Sequence, residues 1–420
     1  MYKLVKITQQ TLWQLVGKAV TSFSTLLILS FITRFYGEVG TGVLTLVLAY
    51  LGFFTIAVDL GFNAYLMPQL LENYQLVWRK LFGLRILVAV FLAVIAIFGI
   101  FFFPNYDPLV YQLVLIGAAG ALAQPAFFIT ANAIFQSKLR YDLSIISSSL
   151  GSLVTLILVI LVVYNRLPLQ FVMAGYLLGW IITAFIALIL AGKFIHQLSP
   201  VFDPNFIKRV FKGAWPIALT LLLNVFYFRA DIFLLSFLKP IGDVGIYNLS
   251  YSIFQSALVL PTFIMNGYYP LMIQSFKMGK TAFFGQLKQA SLGMLGLGVL
   301  GILATFVLGS FIIFAITGGT GFLGAAESLK ILSLGYPAYF MSALLMWTLV
   351  VIKKYKAMVF IYLIGLVFNV CINIIFIPLY SFIATSWITG LSEYLVLALQ
   401  IIALALVSKR SWIVDKKAVI

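Results

Sequence analysis

The chain has 420 residues, of which 63% are hydrophobic and only 9% charged, and carries a formal net charge of +16. A soluble core of this size needs no such apolar excess, so the composition is that of an all-α polytopic membrane protein. The basic residues stand in short clusters between long apolar runs rather than on one polar domain, which argues against a nucleic-acid partner.

Apolar runs long enough to cross about 30 Å of hydrocarbon as helix recur along the chain, about twelve in all. The first, 11–35, exceeds a signal-peptide core and lacks a small-residue cleavage site, so it is expected to be the first span. It is followed by runs at 40–67, 81–103, 109–136, 143–164 and 169–192. The longest connection, 193–212, contains Asp203-Pro204, a helix-start signal, then Phe206, Ile207, Val210 and Phe211, which predicts an amphipathic interfacial helix. Its basic residues serve as cytoplasmic anchors, with contact to anionic lipid as the sharper alternative. Six further runs occupy 213–238, 244–273, 289–316, 328–352, 357–378 and 381–407. The expected architecture is therefore a six-helix bundle over 1–192, a cytoplasmic linker over 193–212 and a second six-helix bundle over 213–420, arranged around a central cavity. Gly318-Gly319-Thr320-Gly321 is read as a turn rather than a phosphate loop.

Charge fixes the expected orientation. Of the 27 Lys and Arg residues, Lys18, Arg85 and Arg229 fall inside apolar runs, and Arg34, Arg166, Lys239 and Lys330 lie on one side of the predicted spans. All the others lie on the opposite side, which places both termini in the cytoplasm. The single Cys371 excludes an intramolecular disulfide, and the single His196 leaves no His/Cys metal cluster, so no metal site is expected. The halves echo each other weakly: Gly42-Val43-Leu44 overlies Gly245-Ile246-Tyr247, and at the same offset Pro68 falls one residue from Pro270. Six spans per half keep the two units in the same orientation, with a pseudo-two-fold axis along the membrane normal.

The intramembrane charges are the candidate functional residues, because a charged side chain at mid-bilayer costs at least about 2.5 to 3.5 kcal/mol and faces a bundle interior or aqueous cavity. At 1.5 Å per residue Lys18 lies about 10 Å into its span, Asp59 about 12 Å from the end of its own and Arg85 about 6 Å in, a predicted cytoplasmic-side cluster. Segment 227–231 reads Tyr-Phe-Arg-Ala-Asp, and on a helix Arg229 and Asp231 point to different sides. Arg229, about 13 Å from the outer end of its span, and Glu393, about 20 Å from the outer end of its own, are near enough in depth to pair. Asp231 is expected to make a structural contact. Asn224, Gln255, Asn266, Gln124, Asn132, Asn369 and Asn373 also fall in apolar runs, where interhelical hydrogen bonding is the expected role.

The segment Arg34-Phe35-Tyr36-Gly37-Glu38-Val39-Gly40-Thr41-Gly42, followed by Asp59-Leu60-Gly61-Phe62-Asn63, resembles the opening of the polysaccharide transporter family. These are lipid-linked oligosaccharide (O-antigen) flippases of the multidrug/oligosaccharidyl-lipid/polysaccharide exporter superfamily. Trp215-Pro216, Arg229-Ala230-Asp231, Val244-Gly245-Ile246-Tyr247 and Pro270 resemble its seventh and eighth spans. One departure is visible: Met67-Pro68-Gln69 stands where such flippases often carry a basic residue.

The resemblance implies a non-enzymatic, monomeric transporter in a prokaryotic cytoplasmic membrane that flips a polyprenyl-pyrophosphate-linked oligosaccharide by alternating access, with membrane lipids around it. On this reading Arg229, with Lys18 and Arg85 in support, binds the anionic group, because guanidinium matches phosphate oxygens. Asp59, Glu393 and Asp231 are then charge partners or carriers of a coupling proton or sodium ion, and no other cofactor is expected. Two other classes compete. A drug or cation exporter of the same superfamily favours carboxylates unopposed by arginine, and a membrane glycosyltransferase or polymerase needs a sizeable loop bearing acid/base residues.

Overall fold

A computed structural model describes residues 2–103, 106–319 and 321–409. Among these there is no β-strand, and thirteen α-helices follow in order: α1 (Tyr2–Asp59), α2 (Phe62–Glu72), α3 (Tyr74–Gly99), α4 (Pro108–Ser137), α5 (Tyr141–Tyr164), α6 (Leu169–Ala191) and α7 (Pro204–Leu238), then α8 (Ile241–Ala257), α9 (Val259–Met278), α10 (Lys280–Thr317), α11 (Ala325–Ser333), α12 (Tyr336–Val351) and α13 (Tyr355–Lys409). Seven are long and apolar enough to cross a membrane, and the pair α11 and α12, bent by 43° at its break, makes an eighth candidate. The chain is a multi-pass membrane protein. α10 shows the consequence most plainly: only 11% of its most apolar window is buried, and its outward Leu, Val and Phe side chains need lipid as solvent.

The two longest helices are not straight rods. α1 breaks at Gly37, whose φ of 65° is one that glycine adopts freely. Gly17 packs on Ile145 near the start of α5, the Tyr36 hydroxyl donates to the Leu167 carbonyl just past its end, and Asp59 is back beside Arg85 near the start of α3. The chain therefore reverses at Gly37, and α1 is two antiparallel arms. α13 does the same at Ser381, three residues after Pro378. Asn369 donates to Ser392, and Gly365 lies against Val396, pairs evenly spaced on either side of the break. These arms correspond to the predicted runs 11–35 and 40–67, and 357–378 and 381–407.

Elsewhere the sequence-based boundaries shift. The second predicted run ends early, because left-handed Leu60 and Gly61 break the helix before α2. The run 244–273 is divided at Leu258 into α8 and α9, and 328–352 at Leu334 and Gly335 into α11 and α12. The glycine turn is present, with positive φ at Gly318, Gly319 and Gly321.

Two compact units are present: residues 1–225 with 316–321, and residues 226–315 with 322–420. In the first, segment 193–212 docks onto the end of the bundle. Ile195, Phe206 and Val210 enter the core formed by Phe62, Leu66, Trp78, Phe82 and Phe135. The Val201 amide donates to the Arg79 carbonyl, and the Arg79 side chain donates to Gln197 and Ser199. The helix predicted there is the opening of α7, started by Asp203, whose carboxylate accepts from the Phe206 amide.

Helices α5 and α6 approach through glycine. A Cβ on Gly151 would fall 2.7 Å from the Gly179 carbonyl oxygen, and one on Gly179 would fall 2.8 Å from the Gly151 carbonyl oxygen. Small residues let membrane helices pack backbone to backbone, and here Thr155 and Thr183 fill the flanking space. Gly151→Ala is expected to destabilise the protein by about 1 to 3 kcal/mol through overpacking. The check is a detergent-solubilised thermal melt by fluorescence-detected size exclusion; an unchanged midpoint would contradict the close packing.

Candidate functional site

In the first unit, on either side of the break at Leu60 and Gly61, Asp59 and Asn63 both accept from the same Arg85 nitrogen, Nη2. Arg85 is fully buried and donates to Asp59 at 2.6 Å, to the Asn63 amide oxygen at 3.0 Å and to the Thr130 hydroxyl at 3.2 Å. The Thr130 hydroxyl in turn donates to the Ala126 carbonyl, and the Trp78 indole N–H donates to the Thr130 carbonyl. The Asp59 side chain keeps 29% exposure, so the pair presents its carboxylate edge outward and hides its cation. Lys18 does not join them: it is exposed on α1 and makes no ion pair among the described residues. The three-charge cluster expected from depth is thus a two-charge pair, because depth alone does not fix which face of a helix a residue occupies.

In the second unit a polar core is buried. Asp231 on α7 is 4% exposed and accepts from the Tyr247 hydroxyl at 2.9 Å, the Thr389 hydroxyl at 2.8 Å and the Asn373 amide at 3.0 Å. Asn373 also donates to Asn369, which donates to Ser392. The amide oxygen of Asn373 is buried with no hydrogen-bond donor among the described residues. One turn away, Glu393 accepts from the Tyr227 hydroxyl at 2.8 Å and from Ser342. The expected Arg229–Glu393 pair is not formed; a tyrosine two residues before the arginine takes the carboxylate instead.

Arg229 and Asp231 do diverge. Arg229 is half-buried and has no hydrogen-bond or ion-pair partner among the described residues, while Asp231 points into the polar core. The Tyr251 ring lies within electrostatic range of the guanidinium. Around this core the charges separate: Asp231 and Glu393 are satisfied by hydroxyl and amide donors, and Arg229 stands apart without a hydrogen-bond or ion-pair partner among the described residues. Among the described residues no group of three or more His, Cys, Asp and Glu is placed to hold a metal ion.

Tyr227, Tyr247, Ser342 and Thr389 were absent from the sequence-based candidates. Of these Thr389 carries a signal in spacing: Thr385, Thr389, Ser392 and Glu393 follow a helical period, as do Asn369 and Asn373. The side chains of Asn224 and Asn266 lie outside the described residues, and Gln255 is exposed.

The family described as polysaccharide biosynthesis protein matches residues 7–276, more than half of the chain. The chain belongs to this family. Solved structures agree on the fold of this family member. It is similar to "Lipid II flippase MurJ, inward closed conformation", with a TM-score of 0.79 and 14% identity over 95% of this chain and 87% of that one. It is also similar to an inward-facing multidrug resistance MATE family transporter of the MOP superfamily, with a TM-score of 0.76 and 11% identity over 93% and 96% of the two chains. A MOP superfamily transporter from Pyrococcus furiosus, described as having a binding pocket of reverse polarity, matches with a TM-score of 0.57 and 13% identity over 96% of each chain. No curated protein matches the sequence. The fold is that of MOP-superfamily transporters, and no catalytic family is indicated.

Proposed function

We propose that this protein flips a polyprenyl-pyrophosphate-linked oligosaccharide from the inner to the outer leaflet of a prokaryotic cytoplasmic membrane by alternating access. The observation that carries the reading is Arg229, a half-buried guanidinium in an apolar helix without a counter-ion among the described residues. An unpaired cation at this depth is costly, and a pyrophosphate that accepts its fork of N–H donors compensates it. Lys18, exposed and without an ion pair among the described residues, keeps the anion-binding role that the sequence suggests for it. Arg85, fully buried and held by Asp59, is assigned a structural role instead. The family's description as a polysaccharide biosynthesis protein and the likeness to a lipid II flippase support this substrate class.

The span count proposed is twelve, from the two arms of α1, α3 to α6, α7, α8 with α9, α10, α11 with α12, and the two arms of α13. The basic side, with both termini, is cytoplasmic.

Coupling is assigned to Asp231. Its carboxylate is buried among the Tyr247 and Thr389 hydroxyls and the Asn373 amide, donors that would rearrange around a bound proton or sodium ion. In proteoliposomes carrying a defined lipid-linked oligosaccharide, the wild-type protein is expected to render the sugar accessible to an external glycosidase, faster under an imposed ion gradient. Asp231→Asn is expected to abolish that gradient response. Absence of translocation by the wild-type protein under every gradient would overturn the function, and a preserved response in the variant would overturn the coupling role alone.

A further inference from the structure

We propose that the opening of α7 forms a binding site for a lipid-borne phosphate group, separate from Arg229; a phospholipid occupant is independent of the transport reading and a carrier occupant rests on it. A cavity of about 400 Å³ lies there, lined by Tyr65, Asn205, Lys208, Arg209, Lys212 and Gly213. Residues 205, 208, 209 and 212 recur at the spacing of one helix face. The other face of the same turns carries Phe206 and Val210, both buried in the core of the first unit. The basic face is therefore held in place rather than merely solvated.

The charge balance of the cavity is one-sided. Lys208, Arg209 and Lys212 form no ion pair among the described residues. The nearby carboxylate, Asp203, is engaged by Lys80 at 2.7 Å and caps the helix through the Phe206 amide. Those two contacts hold the Asp203 carboxyl below the usual carboxylate range, so it stays ionised and tied to Lys80 at neutral pH. The Arg209 guanidinium lies 5.7 Å from the centre of the Phe206 ring, which orients it without neutralising it. Tyr65 adds a hydroxyl with no hydrogen-bond partner among the described residues. It reaches the cavity because residue 213 is glycine: any Cβ there would collide with the phenol.

Three cations, a phenol and an amide around a concave surface match the oxygens of a phosphate group, and guanidinium adds a directional fork. The level in the membrane also fits. Exposed Phe202, Phe211 and Trp215 flank the site, and aromatic side chains beside basic residues mark the headgroup region. Two molecules offer phosphate at that level: an anionic phospholipid and the pyrophosphate of a polyprenyl carrier.

Native mass spectrometry of the full-length protein in neutral detergent tests the site. Wild-type protein is expected to retain phosphatidylglycerol in preference to phosphatidylcholine. The K208Q/R209Q/K212Q variant is expected to lose that retention by about tenfold or more, at roughly 1 kcal/mol per basic residue at an anionic surface. Gly213→Leu, which keeps all three charges but fills the cavity, is expected to lose it as well. Neutralising Lys353, Lys354 and Lys356, a basic cluster elsewhere, is expected to change nothing. Displacement of phosphatidylglycerol by farnesyl pyrophosphate would assign the site to the carrier, and resistance to displacement would assign it to the phospholipid. Full retention by either the triple variant or Gly213→Leu, or equal retention of phosphatidylcholine by the wild type, would overturn the proposal.

Discussion

Arg229→Ala is expected to leave the protein folded and inserted while slowing translocation of lipid-linked oligosaccharide by about ten- to a hundredfold, the span of a lost hydrogen-bonded charge contact. The folding half of the statement follows from geometry. Arg229 has no hydrogen-bond or ion-pair partner among the described residues, so its removal strands none of them. The transport half follows from the proposed contact with pyrophosphate. Arg229→Lys is expected to recover only part of the rate, because an ammonium keeps the charge but not the planar fork. Arg229→Glu separates the substrate classes. An anionic substrate is repelled and transport is lost, whereas an exporter of cationic drugs gains from the added carboxylate. Proteoliposomes containing lipid-linked sugar, and in parallel a fluorescent organic cation, give both readouts. Normal oligosaccharide translocation by Arg229→Ala would remove this residue from the mechanism.

Much of the fold is legible in the sequence because a bilayer imposes one length on every spanning helix. The paired arms of α1 and α13 were recoverable as separate apolar runs, since Gly37 stands beside charged Glu38 and Pro378 stands close to Ser381. The breaks at Leu258 and at Leu334 and Gly335 were not, because hydropathy runs through them without change and outweighs the local signal, which at the second break is Gly335 with Pro337 in the first turn of α12. The charge pairs divide in the same way. Asp59 and Arg85 could be matched by depth, and the structure pairs them. Depth also matched Arg229 with Glu393, and there it failed. A buried carboxylate needs hydrogen-bond donors, not necessarily a cation, and Tyr227 and Tyr247 supply them while contributing to an apolar run. Aromatic hydroxyls are the class of polar group that a hydropathy reading passes over.

The buried Arg85 gives the largest expected effect on stability. Asp59→Ala leaves the guanidinium fully buried with only neutral acceptors, Asn63 and Thr130, and is expected to destabilise the protein by about 3 to 5 kcal/mol. Arg85→Met should cost less: the Asp59 side chain is 29% exposed and is resolvated once its partner is gone, while methionine refills most of the vacated volume. The double variant, Asp59→Ala with Arg85→Met, removes both charges together and is expected to be more stable than Asp59→Ala alone, a coupling that a double-mutant cycle reads directly. Thermal melts of the four proteins by fluorescence-detected size exclusion provide the cycle. The same proteins separate structure from transport. If the pair only holds α1, α3 and α4 together, the double variant flips substrate at close to the wild-type rate once folded. If Arg85 instead meets the anion, the double variant melts normally and transports nothing. The geometry favours the first result, because a guanidinium with no exposed surface, already tied to Asp59, Asn63 and Thr130, is closed off from a substrate even though its Nε has no acceptor among the described residues.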